Sequence, residues 1–196
     1  VYRWHAETAW PVAAALSPEG DALAVLAASE AGGQLRLFSL DSEEELARFE
    51  APGEYFYELA WLEGGLCLLS ESRALFLDAR GAQTGEYAFG DARLADCGFG
   101  ADFALLVLGQ GEQARLVSLD ARGEQLAELE PGRAPVSLSV EKDRIAVLYS
   151  DGAAVYNKNL RERGKSAQAA GALALLLRGD GETLAVFPGA VRTGLA

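Results

Sequence analysis

Few side chains in this 196-residue sequence could do nucleophilic or metal chemistry. There is one histidine, His5, and there are two cysteines, Cys67 and Cys97. A Ser-His-Asp or Cys-His relay needs an imidazole beside the nucleophile, so any such relay must run through His5. His5 falls in Tyr2 to Thr8, which reads as a lone strand, and this makes it a bystander. Cys67 and Cys97 lie in apolar stretches with no activating cation nearby in sequence and no Cys-x-x-Cys spacing. They read as structural thiols, with a single bridge between neighbouring repeats as the alternative. Two thiols and one imidazole are too few soft ligands for a zinc site. No phosphate-binding glycine motif is present, because Gly98-Phe-Gly100 and Gly109-Gln-Gly111 are isolated turn glycines. Glu43-Glu-Glu45 is a continuous run, whereas a calcium loop alternates its ligands, so it reads as a solvated turn. No cofactor and no metal are expected.

Two further groups could carry function. Asp96 and Asp102 flank an apolar strand, and paired carboxylates meeting at an axis could hydrolyse a glycoside. Two acids among 29 are also expected together by chance. Tyr55, Phe56 and Tyr57 with Trp61 form the densest aromatic cluster. Its two readings are packing between repeats and an exposed recognition patch, because Tyr and Trp dominate binding hot spots.

The elements that must position these residues repeat. A short apolar run recurs as Ala22 to Leu26, Gly65 to Leu69, Phe103 to Val107, Ile145 to Tyr149 and Thr183 to Phe187, at spacings of 43, 38, 42 and 38 residues. A fixed period of about 20–50 residues marks a solenoid, a propeller or an array. Turn residues such as Ser17-Pro-Glu-Gly-Asp21, Asp120-Ala-Arg-Gly123 and Ser150-Asp-Gly152 separate the short strands. The pattern predicts an all-β chain, a β-propeller of four-stranded antiparallel blades, about five in number. The repeats span about 12–50, 57–89, 96–129, 136–168 and 172–196, in a single domain over 1–196. The last repeat has room for three strands only. Strand 2–8 could complete it and close a five-bladed ring. Alternatively, the chain is the C-terminal part of a larger propeller. Both remain open at this stage. The sequence has no methionine and opens at Val1, so a processed or trimmed segment is expected.

The net charge is −12, which argues against nucleic acid and anionic membrane surfaces as partners, since phosphate binding needs a basic footprint. The charge is uneven: residues 1–141 carry −15 and residues 142–196 carry +3. Asn159 to Lys165 reads as a solvated basic loop, with a small basic face toward an acidic partner as the sharper alternative. No apolar run approaches the ~20 residues of a membrane span.

Leu16 to Val25 followed by Leu35 to Asp41 resembles the general repeat of WD-type propellers, although no Gly-His or Trp-Asp pair is present. Asp78-Ala-Arg-Gly81 and Asp120-Ala-Arg-Gly123 look a little like the quinoprotein repeat, but Trp4, Trp10 and Trp61 do not fall at that family's tryptophan positions. Ile145 to Leu160, with Gly179 to Val186, resembles a family of bacterial proteins, mostly from gut Firmicutes, that carry a domain of unknown function. That resemblance implies an extracytoplasmic propeller behind one N-terminal membrane helix, an anchor absent from this chain. It supplies no catalytic residue.

These readings together predict a non-catalytic propeller scaffold or binding module for a protein or cell-surface ligand, not an enzyme. The alternatives are a carbohydrate-active or other hydrolytic propeller using axial carboxylates, and a structural spacer or sensor ectodomain. Membrane contact is expected only through the absent anchor.

Overall fold

The computed structural model describes residues 8–42, 44–110 and 113–194, with Gln110 described through its backbone alone. The expected strand Tyr2 to Thr8, including His5, falls outside these residues except for Thr8, and so does Glu43 of the acidic run. The chain divides into two compact units, Val1–Ala88 with Ala121–Gly123, and Phe89–Asp120 with Glu124–Ala196.

The first unit holds two antiparallel sheets. β1 (Ala9–Leu16), β2 (Ala22–Ser29), β3 (Gly32–Ser39) and β4 (Glu45–Pro52) pair in sequence order. So do β5 (Phe56–Leu62), β6 (Gly65–Ser70), β7 (Arg73–Asp78) and β8 (Gln83–Ala88). The second unit holds three sheets. The first is β9 (Arg93–Phe99), β10 (Phe103–Gln110), β11 (Gln113–Asp120) and β12 (Gln125–Leu129). The next is β13 (Ser137–Glu141), β14 (Arg144–Tyr149), β15 (Gly152–Asn157) and β16 (Glu162–Ser166). The last has, among the described residues, three strands, β17 (Ala174–Leu177), β18 (Thr183–Phe187) and β19 (Ala190–Thr193). These are five propeller blades of meandering antiparallel strands.

The recurring apolar run is the second strand of every blade, and blade packing explains why it is continuous. Side chains alternate faces along a strand, so a run that is apolar at every position must be covered on both sides. In β14 the alternation is visible. Ile145, Val147 and Tyr149 pack with Phe103, Leu105 and Val107 of β10, while Ala146 and Leu148 pack with Leu175 of β17 and Ala185 of β18. In the first unit, Ala24, Leu26, Leu35 and Leu37 of one blade meet Leu66, Leu68, Leu75 and Leu77 of the next. Fully burying each of the Leu, Ile, Val and Phe side chains among them contributes roughly 1.5–3 kcal/mol.

The fourth strands are different in kind. β16 reads Glu-Arg-Gly-Lys-Ser and shows little strand pattern in sequence, because it is an outer edge strand with mostly exposed side chains. The basic loop expected over Asn159 to Lys165 is therefore corrected. It is a tight turn followed by β16, and Lys158 just before it forms an ion pair with Asp102. The acidic turn is corrected in the same way at its end: Glu45 opens β4 and pairs with Arg36 and Arg48.

The turns after β7, β11 and β15 share one design. Asp78 N–H donates to Ala82 O at 2.8 Å, and its Oδ1 accepts the N–H groups of Arg80 and Ala82. Asp120 and Asn157 repeat this, with Oδ1 of each accepting the N–H four residues on. The fourth turn residue has a left-handed backbone, with φ of 79° at Gly81, 80° at Gly123 and 55° at Leu160. A Cβ at Gly123 would stand 2.7 Å from the Phe76 ring, so that site accepts only glycine without a shift. Leu160 instead buries its own side chain in the cluster of Phe103, Ile145 and Tyr156.

Candidate functional site

The aromatic cluster divides when its environment is built up. Consecutive residues of β5 face opposite sides, and the register shift between Phe56 and Glu58 brings Phe56 and Leu59, three residues apart, to the same core. Phe56 is 3 % exposed and belongs to the core of the first unit. Trp61 is half-buried against the same core, and its Nε1–H donates to Ala15 O at 3.0 Å, tying β5 to β1. Tyr57 is 39 % exposed, with its hydroxyl donating to Ser70 O at 3.0 Å. Tyr55, in the link between β4 and β5, is half exposed. Tyr55 and Tyr57 reach the surface, whereas Phe56 and Trp61 are engaged in packing.

Beside them lies an ionic network. Glu54 accepts from Ser70 Oγ at 2.7 Å and from Arg73 Nη2 at 2.5 Å, and Arg73 also pairs with Glu86. The Arg73 guanidinium, helped by Ser70, holds the Glu54 carboxyl below the ordinary carboxylate range against the opposing effect of burial. This is a bidentate, partly buried pair of the geometrically specific kind.

The acids singled out for hydrolysis have other engagements. Asp96 is an exposed residue of β9, and its Oδ1 accepts the Cys97 N–H at 2.8 Å. Asp102 is held by Lys158. Cys67 is buried and Cys97 half-buried, both as thiols, and the alternative of a bridge is not met. Among the described residues no group of three or more His, Cys, Asp or Glu side chains could hold a metal ion. No helix among them is long and apolar enough to cross a membrane.

A cleft of about 490 Å³ opens in the second unit at one end of the β9–β12 blade. The link entering β9 and the segment leaving β12 form its sides, and the start of β11 forms its back. Its buried lining is apolar, from Phe89, Ala92 and Leu108. Its mouth is charged: Asp91 and Glu130 are exposed, Arg115 pairs with Glu128 at 3.1 Å, and Arg133 pairs with Asp151 at 2.5 Å. Converging polar and charged groups around a recess of this volume suit a ligand site. A smaller hollow in the first unit, about 360 Å³, has Trp10 and Ser29 among its lining residues.

Gly90-Asp91 and Glu130-Pro-Gly-Arg133 fall between the expected repeats 57–89, 96–129 and 136–168, so the sequence marks them only as linkers. Their spacing, one on each side of a single repeat, was the available signal.

The chain is a β-propeller by its blades, and comparison with solved structures agrees. It is similar to KlHsv2 with loop 6CD replaced by a Gly-Ser linker (TM-score 0.63, 10 % identity, covering 96 % of this chain and 63 % of that one). It is also similar to BamB from Moraxella catarrhalis (TM-score 0.56, 12 % identity, covering 89 % and 60 %) and to the Dos1 propeller (TM-score 0.57, 11 % identity, covering 89 % and 52 %). The chain thus spans between about half and two thirds of the length of these structures. At such identities the likeness shows the fold alone. Neither a protein-family model nor a curated protein matches the sequence.

Proposed function

We propose that the chain is a non-catalytic β-propeller binding module that recognises a protein ligand, with the β9–β12 cleft as its contact site. The observation carrying this reading is the cleft itself, a recess of about 490 Å³ bordered by Asp91, Arg115, Glu128, Glu130 and Arg133. The partners of Asp102 and Asp96 support a structural role for those two acids. Tyr55 and Tyr57 are a second contact surface within this proposal, since both expose ring area. The sequence resemblance supports an extracytoplasmic setting behind a membrane helix outside these residues. The reading frame upstream of Val1 tests that part.

The binding reading is tested by probing an array of synthetic peptides with the purified chain and with Gln113→Trp, which places a large side chain at the cleft wall. A set of peptides bound by the wild type and lost with Gln113→Trp is the expected result. Binding that is indifferent to this substitution overturns the cleft as the site.

A further inference from the structure

Each sheet has a near face, toward the preceding sheet in chain order, and a far face toward the next. The contacts within each unit join a far face to a near one. Ala24 and Leu26 of β2 meet Leu66 and Leu68 of β6. Phe103 and Leu105 of β10 meet Ile145 and Val147 of β14, and Ala146 and Leu148 of β14 meet Ala185 of β18. The first sheet is left with its near face and the last sheet with its far face. On the first, Leu16 lies opposite Leu23 and Ala14 opposite Val25, on the side turned away from Ala24 and Leu26. Leu16 is 60 % exposed, Ala14 is exposed and Leu23 is half-buried. On the last sheet, Ala174, Val186 and Val191 form one cross-strand row, and Leu176, Leu184 and Thr193 form the next. Leu176 is 49 % exposed and Val191 62 %. Neither row contains a charge.

We propose that these two faces meet between copies of the chain, the far face of β17–β19 in one copy against the near face of β1–β4 in a second. The contact continues an interface already present, because all three contacts within the units pair a far face with a near one. Near on near, or far on far, has no counterpart there. The chemistry is complementary as well. Exposed Leu176 and Val191 would leave water against exposed Ala14 and Leu16, in the face-to-face packing of sheets about 10 Å apart. No charge opposes the approach. Arg36, opposite Val25 on the near face of β3, is paired with Glu45. With few exposed side chains on each side, the association belongs to the weak class that buries less than about 1,200 Å². Unlike faces leave one face open at each end, so such an assembly grows past a dimer unless it closes into a ring. This surface is separate from the β9–β12 cleft and does not depend on it.

The test is sedimentation velocity of the purified chain over a concentration series, with Leu16→Glu and Val191→Glu. Each variant puts a charge on one of the two faces. Both side chains are exposed, so the variants should keep the urea midpoint of the wild type, and Ala14→Glu with Leu176→Glu repeats the design at neighbouring positions. The wild type should gain mass with concentration. Each variant alone should associate at least about tenfold more weakly. An equimolar mixture of Leu16→Glu and Val191→Glu should regain a dimer, because the first keeps an intact β17–β19 face and the second an intact β1–β4 face. A wild type that stays monomeric throughout would overturn the proposal, since the faces are then covered within one chain or by a different protein. Undiminished association of either variant alone would overturn it as well, because like faces would then be meeting. A mixture that remains monomeric sinks the pairing of these two faces. The cleft is tested separately by Gln113→Trp, so its reading stands or falls on its own.

Discussion

The guanidinium carbon of Arg133 lies 4.0 Å from the centroid of the Tyr149 ring. Arg133 lines the cleft, and Tyr149 is a core residue of the second unit with 1 % exposure. One edge of the cleft is therefore fixed to the core by a cation–π contact and by the Asp151 pair. Removing Arg133 as Arg133→Ala should lower stability by about 1–2 kcal/mol, measured by urea unfolding. Tyr149 adds a pH signature. Burial, and then the Tyr156 hydroxyl, push its phenol well above the ordinary 10.0, with Arg133 opposing. A folded-state value above the unfolded one contributes stability that is complete below pH 10 and lost as pH climbs beyond it. The wild type should lose more stability than Tyr149→Phe when pH is raised from about 9 to about 11. Parallel losses would contradict the burial of the phenol.

Glu54 gives the opposite sign. Its carboxyl is held below 4.5, first by the Arg73 guanidinium. The stability this contributes is present above the unfolded-state value and is lost as pH falls through the folded one. Glu54→Gln should cost about 1 kcal/mol near pH 7. The gap between variant and wild type should close in acid, which unfolding midpoints measured at several pH values will show.

Leu160 occupies a left-handed backbone position, φ 55°, where the sister turns have Gly81 and Gly123. It is held there by burial in the core of the second unit. Truncation to alanine loses the packing and keeps the strain, whereas glycine loses the packing and relieves the strain. Leu160→Ala should therefore destabilise by about 2–4 kcal/mol, and Leu160→Gly by about 1 kcal/mol less. The reverse order would refute the strained-turn account.

Trp61→Phe keeps an aromatic ring and removes the hydrogen bond to Ala15 O. A loss of about 1 kcal/mol is expected, with peptide binding at the cleft unchanged. A loss of binding without a loss of stability would instead assign Trp61 to recognition.

A single domain over 1–196 should unfold in one step, which calorimetry tests. One transition with equal calorimetric and van't Hoff enthalpies would support one cooperative domain. Two resolved transitions would separate the two compact units.

The sequence by itself determined the blades. The run Ala22 to Leu26 and its four counterparts are apolar throughout but for Thr183, which a short strand can be only when both faces are covered. The turn residues Asp78 and Asp120 marked the ends of third strands for an equally local reason, the acceptance of backbone N–H groups by their own side chains. The weak points were outer strands such as β16, where exposure removes the apolar pattern.

Tertiary structure decided which side chains were available for function. Tyr55, Phe56, Tyr57 and Trp61 are neighbours in sequence, yet Tyr55 and Tyr57 reach the surface while Phe56 packs in the core and Trp61 is tied to β1 by a hydrogen bond. Asp91 and Glu130 are 39 residues apart and read as linker acids. They share one cleft because an intervening four-stranded sheet returns the chain to the same end of the blade. Such a site depends on where segments meet and on which charges are already neutralised, and no local pattern encodes either.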